Sequence, residues 1–139
     1  LPLDLFIYEY RIGDVTQSVS AENQLKRIGH TETVLKRMTA EGKSFTGAAA
    51  LYCAKKTHLL LLSFLVTSLL CDKDRKAGRK RADEMMDFMD KEYHIVYEMS
   101  RKHCKILKTL NRLHIGLNGY NRILNSKLYN KVRHNKSFE

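Results

Sequence analysis

Gly42-Lys43-Ser44 resembles the end of a phosphate-binding loop, where backbone N–H groups and a lysine cradle phosphate. That loop needs a glycine five residues before its last glycine, and Arg37 stands there. It also follows a strand, whereas a helical pattern precedes Gly42, so no nucleotide site is expected. The six histidines are His30, His58, His94, His103, His114 and His134, and none falls into an HExxH or CxxC-type set. His103 and Cys104 are neighbours, which on a helix sends them to different sides, so adjacency does not make a base–thiol pair. Asp83 and Asp87 share an exposed helical face, where solvated charge is expected rather than general acid–base work. Met85, Met86 and Met89 recur at helical spacing and read as core, with a soft partner groove as the alternative. These patterns predict a non-enzyme with no cofactor and no metal.

Two features remain. Asp72-Lys73-Asp74-Arg75-Lys76-Ala77-Gly78-Arg79-Lys80-Arg81 holds Lys73, Arg75, Lys76, Arg79, Lys80 and Arg81 within ten residues. So many like charges repel in a compact element, and the segment is expected to be an exposed loop. Arg101, Lys102 and Lys105 support it, as do Lys127, Lys131, Arg133 and Lys136. The second feature lies directly beside the first. Leu59, Leu60, Leu61, Leu62, Phe64, Leu65, Val66, Leu69 and Leu70 make a run that is apolar on nearly every helical face. Such a helix is either the buried centre of a bundle or an element in contact with lipid. The run has 12 residues, and a bilayer span takes about 20. Cations beside apolar surface form the composition of a membrane-perturbing element: charge delivers the protein to an acidic bilayer and apolar side chains enter it.

The bulk charge agrees. The 139 residues carry 25 Lys and Arg against 15 Asp and Glu, a net charge of +10. Residues 1–70 hold 8 basic and 6 acidic side chains and residues 71–139 hold 17 and 9, so the positive field belongs to the second half. A field of that sign selects acidic partners and says little about fold.

Helices must position these residues. Pro occurs once, at Pro2, so nothing of that kind interrupts a helix afterwards. The pattern predicts one all-α domain over residues 1–139, an up-and-down bundle of four or five helices with a long central second helix. Residues 1–15 read as an apolar arm and residues 132–139 as a frayed tail. A first helix is expected from about Ser18 to Glu41, closed by Gly42 in a left-handed conformation. A second, capped by Ser44 or Thr46, should run from about Phe45 to Cys71. A third starts near Arg81 and either runs to Leu113 or breaks near Ser100, and Gly116 and Gly119 close that region. A short last helix covers about Tyr120 to Lys131, with Ile123, Leu124 and Leu128 on one side.

Cys53, Cys71 and Cys104 are odd in number. On one helix, Cys53 and Cys71 would stand about 27 Å apart, too far for a bridge, and buried free thiols are the simpler reading. The chain starts at Leu1 without Met, which fits a processed, secreted form, and Asn135-Lys136-Ser137 fits a glycosylation sequon.

Several short stretches carry a family likeness over roughly residues 25–130. Val34-Leu35-Lys36-Arg37-Met38 ends the first helix, Gly42-Lys43-Ser44-Phe45 makes a glycine–basic–hydroxyl–apolar turn, and Ala50-Leu51-Tyr52 with Lys55-Lys56 opens the long second helix. Ala82 to His103 supplies an acidic, aromatic and methionine-rich third helix. In these the chain resembles the acrosomal sperm proteins of abalone, the family of lysin and its fusogenic paralogue. The leucine run and the cysteines depart from the lysin pattern and point to the fusogenic branch.

The resemblance implies a basic helical bundle, secreted from the sperm acrosomal vesicle. Such a protein engages the egg surface at fertilization and promotes sperm–egg membrane fusion without catalysis. The alternative it implies is lysin-like, non-enzymatic opening of the egg vitelline envelope. The expected partner is therefore an anionic membrane surface or an acidic egg-coat glycoprotein, with a homodimer compatible with either. A nucleic-acid partner is the weakest reading, because the cations are spread over loops without a reading motif.

Overall fold

The structure, a computed structural model, describes residues 20–126. It is all-α, with no strand among the described residues. The helices are α1 (Ala21–Lys26), α2 (Ile28–Gly42), α3 (Gly47–Val66), α4 (Arg75–Glu92), α5 (His94–Arg112) and α6 (Leu117–Leu124), and a π-helical turn, Thr67–Cys71, continues α3. The expected arm, the tail, the sequon and the end of the last helix beyond Ser126 lie outside the described residues.

The leucine run explains the architecture. α3 packs against α2 and α5, and its π turn packs against α1 and α4. A helix packed against several neighbours needs apolar residues on several faces. Leu61, Phe64, Leu65, Leu69 and Leu70 are buried, together with Leu35 of α2, Met85, Met86 and Met89 of α4, and Val96 and Leu107 of α5. Burying each such side chain contributes about 1.5–3 kcal/mol. The methionines thus take the core role that their spacing predicts.

The boundaries depart from the pattern in four places. The expected first helix is two. Ser20 caps α1 by accepting from Asn23 N at 3.2 Å, and the ladder is interrupted at Arg27, whose N–H bonds Gln24 O at 3.1 Å. The interruption turns α1 toward the π turn, where Gln24 Oε1 accepts from Thr67 Oγ1 at 3.3 Å.

At the next turn, Gly42 is not left-handed; among the described residues Gly47 is the glycine with positive φ, at 62°. Gly42 serves a close approach instead, since a Cβ there would lie 2.6 Å from Tyr93 Oη. Thr46 takes the cap position of α3 without a side-chain bond, while Ser44 Oγ donates back to Glu41 O at 2.7 Å.

The third helical stretch breaks at Tyr93, not near Ser100, with φ −151° and ψ 65°. The break carries the phenol under Gly42. Lastly, α5 is closed by His114 at φ 58°, with Ile115 N bonding Leu110 O at 2.9 Å, and α6 starts at Leu117 rather than Tyr120. Gly116 is the cap residue of α6.

Candidate anionic-surface and apolar interface

The basic segment is helical, which corrects the expectation of an exposed loop from Asp72 to Arg81. Only Asp72–Asp74 lies outside helix, and α4 starts at Arg75, capped by Asp74 Oδ1, which accepts from Ala77 N at 3.0 Å. Repulsion does not unwind the segment because half its cations turn inward to partners. Arg75 Nη1 donates to Leu69 O at 3.2 Å and to Ile115 O at 3.3 Å. Arg79 Nη1 donates to Asn111 Oδ1 at 2.7 Å, and Asn111 Nδ2 donates on to Leu69 O at 2.7 Å. Arg81 pairs with Asp72 at 3.2 Å.

These bonds form a polar knot over the end of the π turn, where wide helical geometry leaves carbonyls short of partners. Gly78 lets α4 close onto that turn: a Cβ there would lie 2.0 Å from Ser68 O. Arg75, Arg79 and Arg81 therefore tie α4 to the π turn and to α5.

Lys73, Lys76 and Lys80 remain exposed, Lys76 and Lys80 one turn apart on α4, with Lys80 4.0 Å from Glu84. Lys102 and Lys105 are exposed on α5, and Arg101 lies 3.7 Å from Glu98. Lys108 is tied to Asp83 of α4. Lys127, Lys131 and Arg133 lie outside the described residues.

Of the two readings of the leucine run, core holds for five of its nine apolar residues. Leu61, Phe64, Leu65, Leu69 and Leu70 are enclosed, Leu60, Leu62 and Val66 are half-buried, and Leu59 is 59% exposed. The continuous helix Gly47–Cys71 is 25 residues long with a mean hydropathy of 1.3, long and apolar enough by length and composition to cross a membrane. The core of a bundle passes the same test, and that is the place its second half occupies here.

The open apolar surface lies elsewhere. Leu62 and Val66 of α3, Ile106 and Leu110 of α5, and Tyr120, Ile123 and Leu124 of α6 line a groove of about 240 Å³, with His103 among its walls. Ile106 is 59% exposed, Ile123 43% and, one helical repeat beyond Ile106, Leu113 65%. Tyr52, Leu59 and Val66 stand at seven-residue intervals and so share one line along α3, with Lys55 and Lys56 between them. On α5 the same interval relates Ile106 to Leu113, with Lys102 and Lys105 alongside. Cations thus lie beside apolar surface; Lys102, Lys105, Leu59, Leu62 and Val66 are among the expected site residues, and Lys55, Lys56, Ile106, Leu113 and Ile123 are new. The sequence signal was the second apolar line on α5, at Ile95, Ile106 and Leu113, opposite the core line of Val96, Cys104 and Leu107.

A histidine pair was also missed. His58 of α3 and His103 of α5 meet with ring centroids 5.8 Å apart at 62°, and His58 Nδ1 lies 2.7 Å from Ser100 Oγ. Burial, and then the nearby His103, hold His58 below the ordinary histidine range. Burial pushes the Cys71 thiol up to about 11 against the pull of Arg75, and raises Cys104 too. Burial likewise pushes Tyr93 up to about 12, helped by Cys53.

Cys53, Cys71 and Cys104 are unpaired, the last two buried. Lys43 is bound to Glu92, away from any phosphate cradle. Asp83 and Asp87 are exposed, as expected of solvated charge. No group of three or more His, Cys, Asp or Glu side chains gathers as a metal set among the described residues. No protein-family model, curated protein or solved structure matches the chain.

Proposed function

We propose that this protein is a secreted, non-catalytic acrosomal protein that engages the acidic egg surface at fertilization and perturbs the membrane there. One observation carries the reading: an open apolar groove between α3, α5 and α6, flanked by exposed lysines on a chain of net charge +10. Each cation near an anionic bilayer contributes about 1 kcal/mol, weakened by salt. Lys55, Lys56, Lys102 and Lys105 bring the groove to the lipid. Leu59, Ile106, Leu113 and Ile123 then enter the headgroup boundary without any change in the core, which replaces insertion by the leucine run. The family likeness of the sequence supports the sperm–egg setting.

The test is dye leakage and lipid mixing with phosphatidylserine-containing and neutral vesicles. Activity on the anionic vesicles is expected to fall in high salt, in Lys102→Gln with Lys105→Gln, and in Ile106→Ser with Ile123→Ser. No activity on anionic vesicles at low salt overturns the reading. The exposed Lys73, Lys76 and Lys80 favour a second reading, binding of an acidic egg-coat glycoprotein. Envelope material dissolving without new peptide ends, in the absence of vesicle activity, selects it.

A further inference from the structure

His58 and His103 come from different helices, and nothing in the surface-binding reading uses them as a pair. Two imidazoles on one tetrahedral ion, with metal–nitrogen distances of about 2.0–2.1 Å, place their ring centroids roughly 5–6 Å apart. The observed separation is 5.8 Å, with the rings inclined at 62° rather than stacked. Ser100 supplies the outer support such a site needs. Its side chain is fully buried, and its Oγ lies 2.7 Å from His58 Nδ1. When Nδ1–H donates to that oxygen, the lone pair of His58 is on Nε2, and the ring is held in place. His103 is exposed, so an ion and its waters reach the pair from solvent.

We propose that His58 and His103 form a two-histidine clamp for a divalent transition-metal ion of the Zn²⁺ or Cu²⁺ class. Imidazole donors suit these ions and not Ca²⁺ or Mg²⁺, which take oxygen ligands. No third protein donor joins the pair among the described residues, so water completes the coordination and the ion exchanges freely. The clamp fastens α3 to α5 beside the apolar groove, whose wall includes His103. It stands independently of the membrane reading.

The experiment is thermal unfolding of the full reduced chain during Zn²⁺ titration. An ion that binds only the folded state raises Tm in a saturable way, by roughly 9 °C at a hundredfold excess over its Kd. The rise is expected to vanish in His103→Gln, an exposed substitution that leaves the core untouched. It should persist in His94→Gln and Cys53→Ser, which control for other surface donors. Imidazole nitrogen NMR gives a second readout, with Zn²⁺ moving the resonances of both rings together. An absent rise, a fall in Tm, or an equal rise in His103→Gln overturns the proposal.

Discussion

Gly78→Ala should destabilise the protein although it replaces a poor helix former with the best one. In the interior of α4, alanine is favoured over glycine by roughly 0.8–1.0 kcal/mol on propensity alone. The added Cβ, however, would sit 2.0 Å from Ser68 O and 3.1 Å from Ser68 C. Both atoms are backbone, in a turn enclosed by α1, α4 and α5, so neither rotates away. α4 must retreat by about 1 Å to restore ordinary contact. Overpacking of this kind costs about 1–3 kcal/mol.

The retreat also stretches the knot. Arg79 to Asn111 at 2.7 Å and Arg75 to Leu69 O at 3.2 Å span the same interface, and each weakened bond costs about 1 kcal/mol. The balance after the propensity gain is a loss of about 2–3 kcal/mol, or roughly 10 °C in Tm for a domain of this size. Gly29→Ala is the control. A Cβ at Gly29 in α2 meets nothing within 4 Å, so the same chemical change should stabilise, by up to about 1 kcal/mol. Circular dichroism at 222 nm during heating and urea titration measures both. A Gly78→Ala protein as stable as the wild type would refute the close approach of α4 to the π turn.

Asn111→Ala removes the acceptor of Arg79 and a donor to Leu69 O from a fully buried position, and should cost about 2–3 kcal/mol in urea unfolding; a cost under about 0.5 kcal/mol would show the knot to be incidental. Alkaline pH should destabilise the fold through Cys71. Its thiol ionises near 9.0 when unfolded but is held to about 11 when folded, so between those values the folded state binds more protons. That stabilisation is complete below pH 9 and is lost as pH rises toward 11. Melting curves from pH 8 to 11 under reducing conditions should fall for the wild type and fall less for Cys71→Ala.

The all-α fold and the central helix were legible because apolar period is a local signal, and the run at Leu59–Leu70 could be enclosed only at the middle of a bundle. The segment Lys73–Arg81 was misread because three of its cations turn inward, two of them onto neutral acceptors that only packing brings within reach. Asn111, Ile115 O and Leu69 O do not announce themselves beside Arg75 and Arg79. The break at Tyr93 was hidden for a related reason, since the phenol fits a space made by Gly42, 51 residues earlier. His58, Ser100 and His103 converge across two helices, and a motif scan sees only neighbours in sequence. Local pattern fixes which segments are helical; the partners of polar side chains depend on packing.

The enclosure of the leucine run constrains how this protein can act on a membrane. Withdrawing Leu61, Phe64, Leu65, Leu69 and Leu70 from the core would forfeit about 1.5–3 kcal/mol for each side chain. The sum, roughly 10 kcal/mol, matches the whole stability of an ordinary domain, about 5–15 kcal/mol. Insertion by that run would therefore amount to unfolding. The groove residues Ile106 and Ile123, and Leu113 further along α5, face no such barrier, because they are already open to solvent. On the proposed reading, their transfer into a headgroup boundary is favourable from the start, with the neighbouring lysines placed to meet acidic lipid. A bilayer-bound form should accordingly keep its full helical content and its buried thiols. Exposure of Cys71 or Cys104 to a thiol reagent on vesicle binding would show that the core opens and that the groove is not the route.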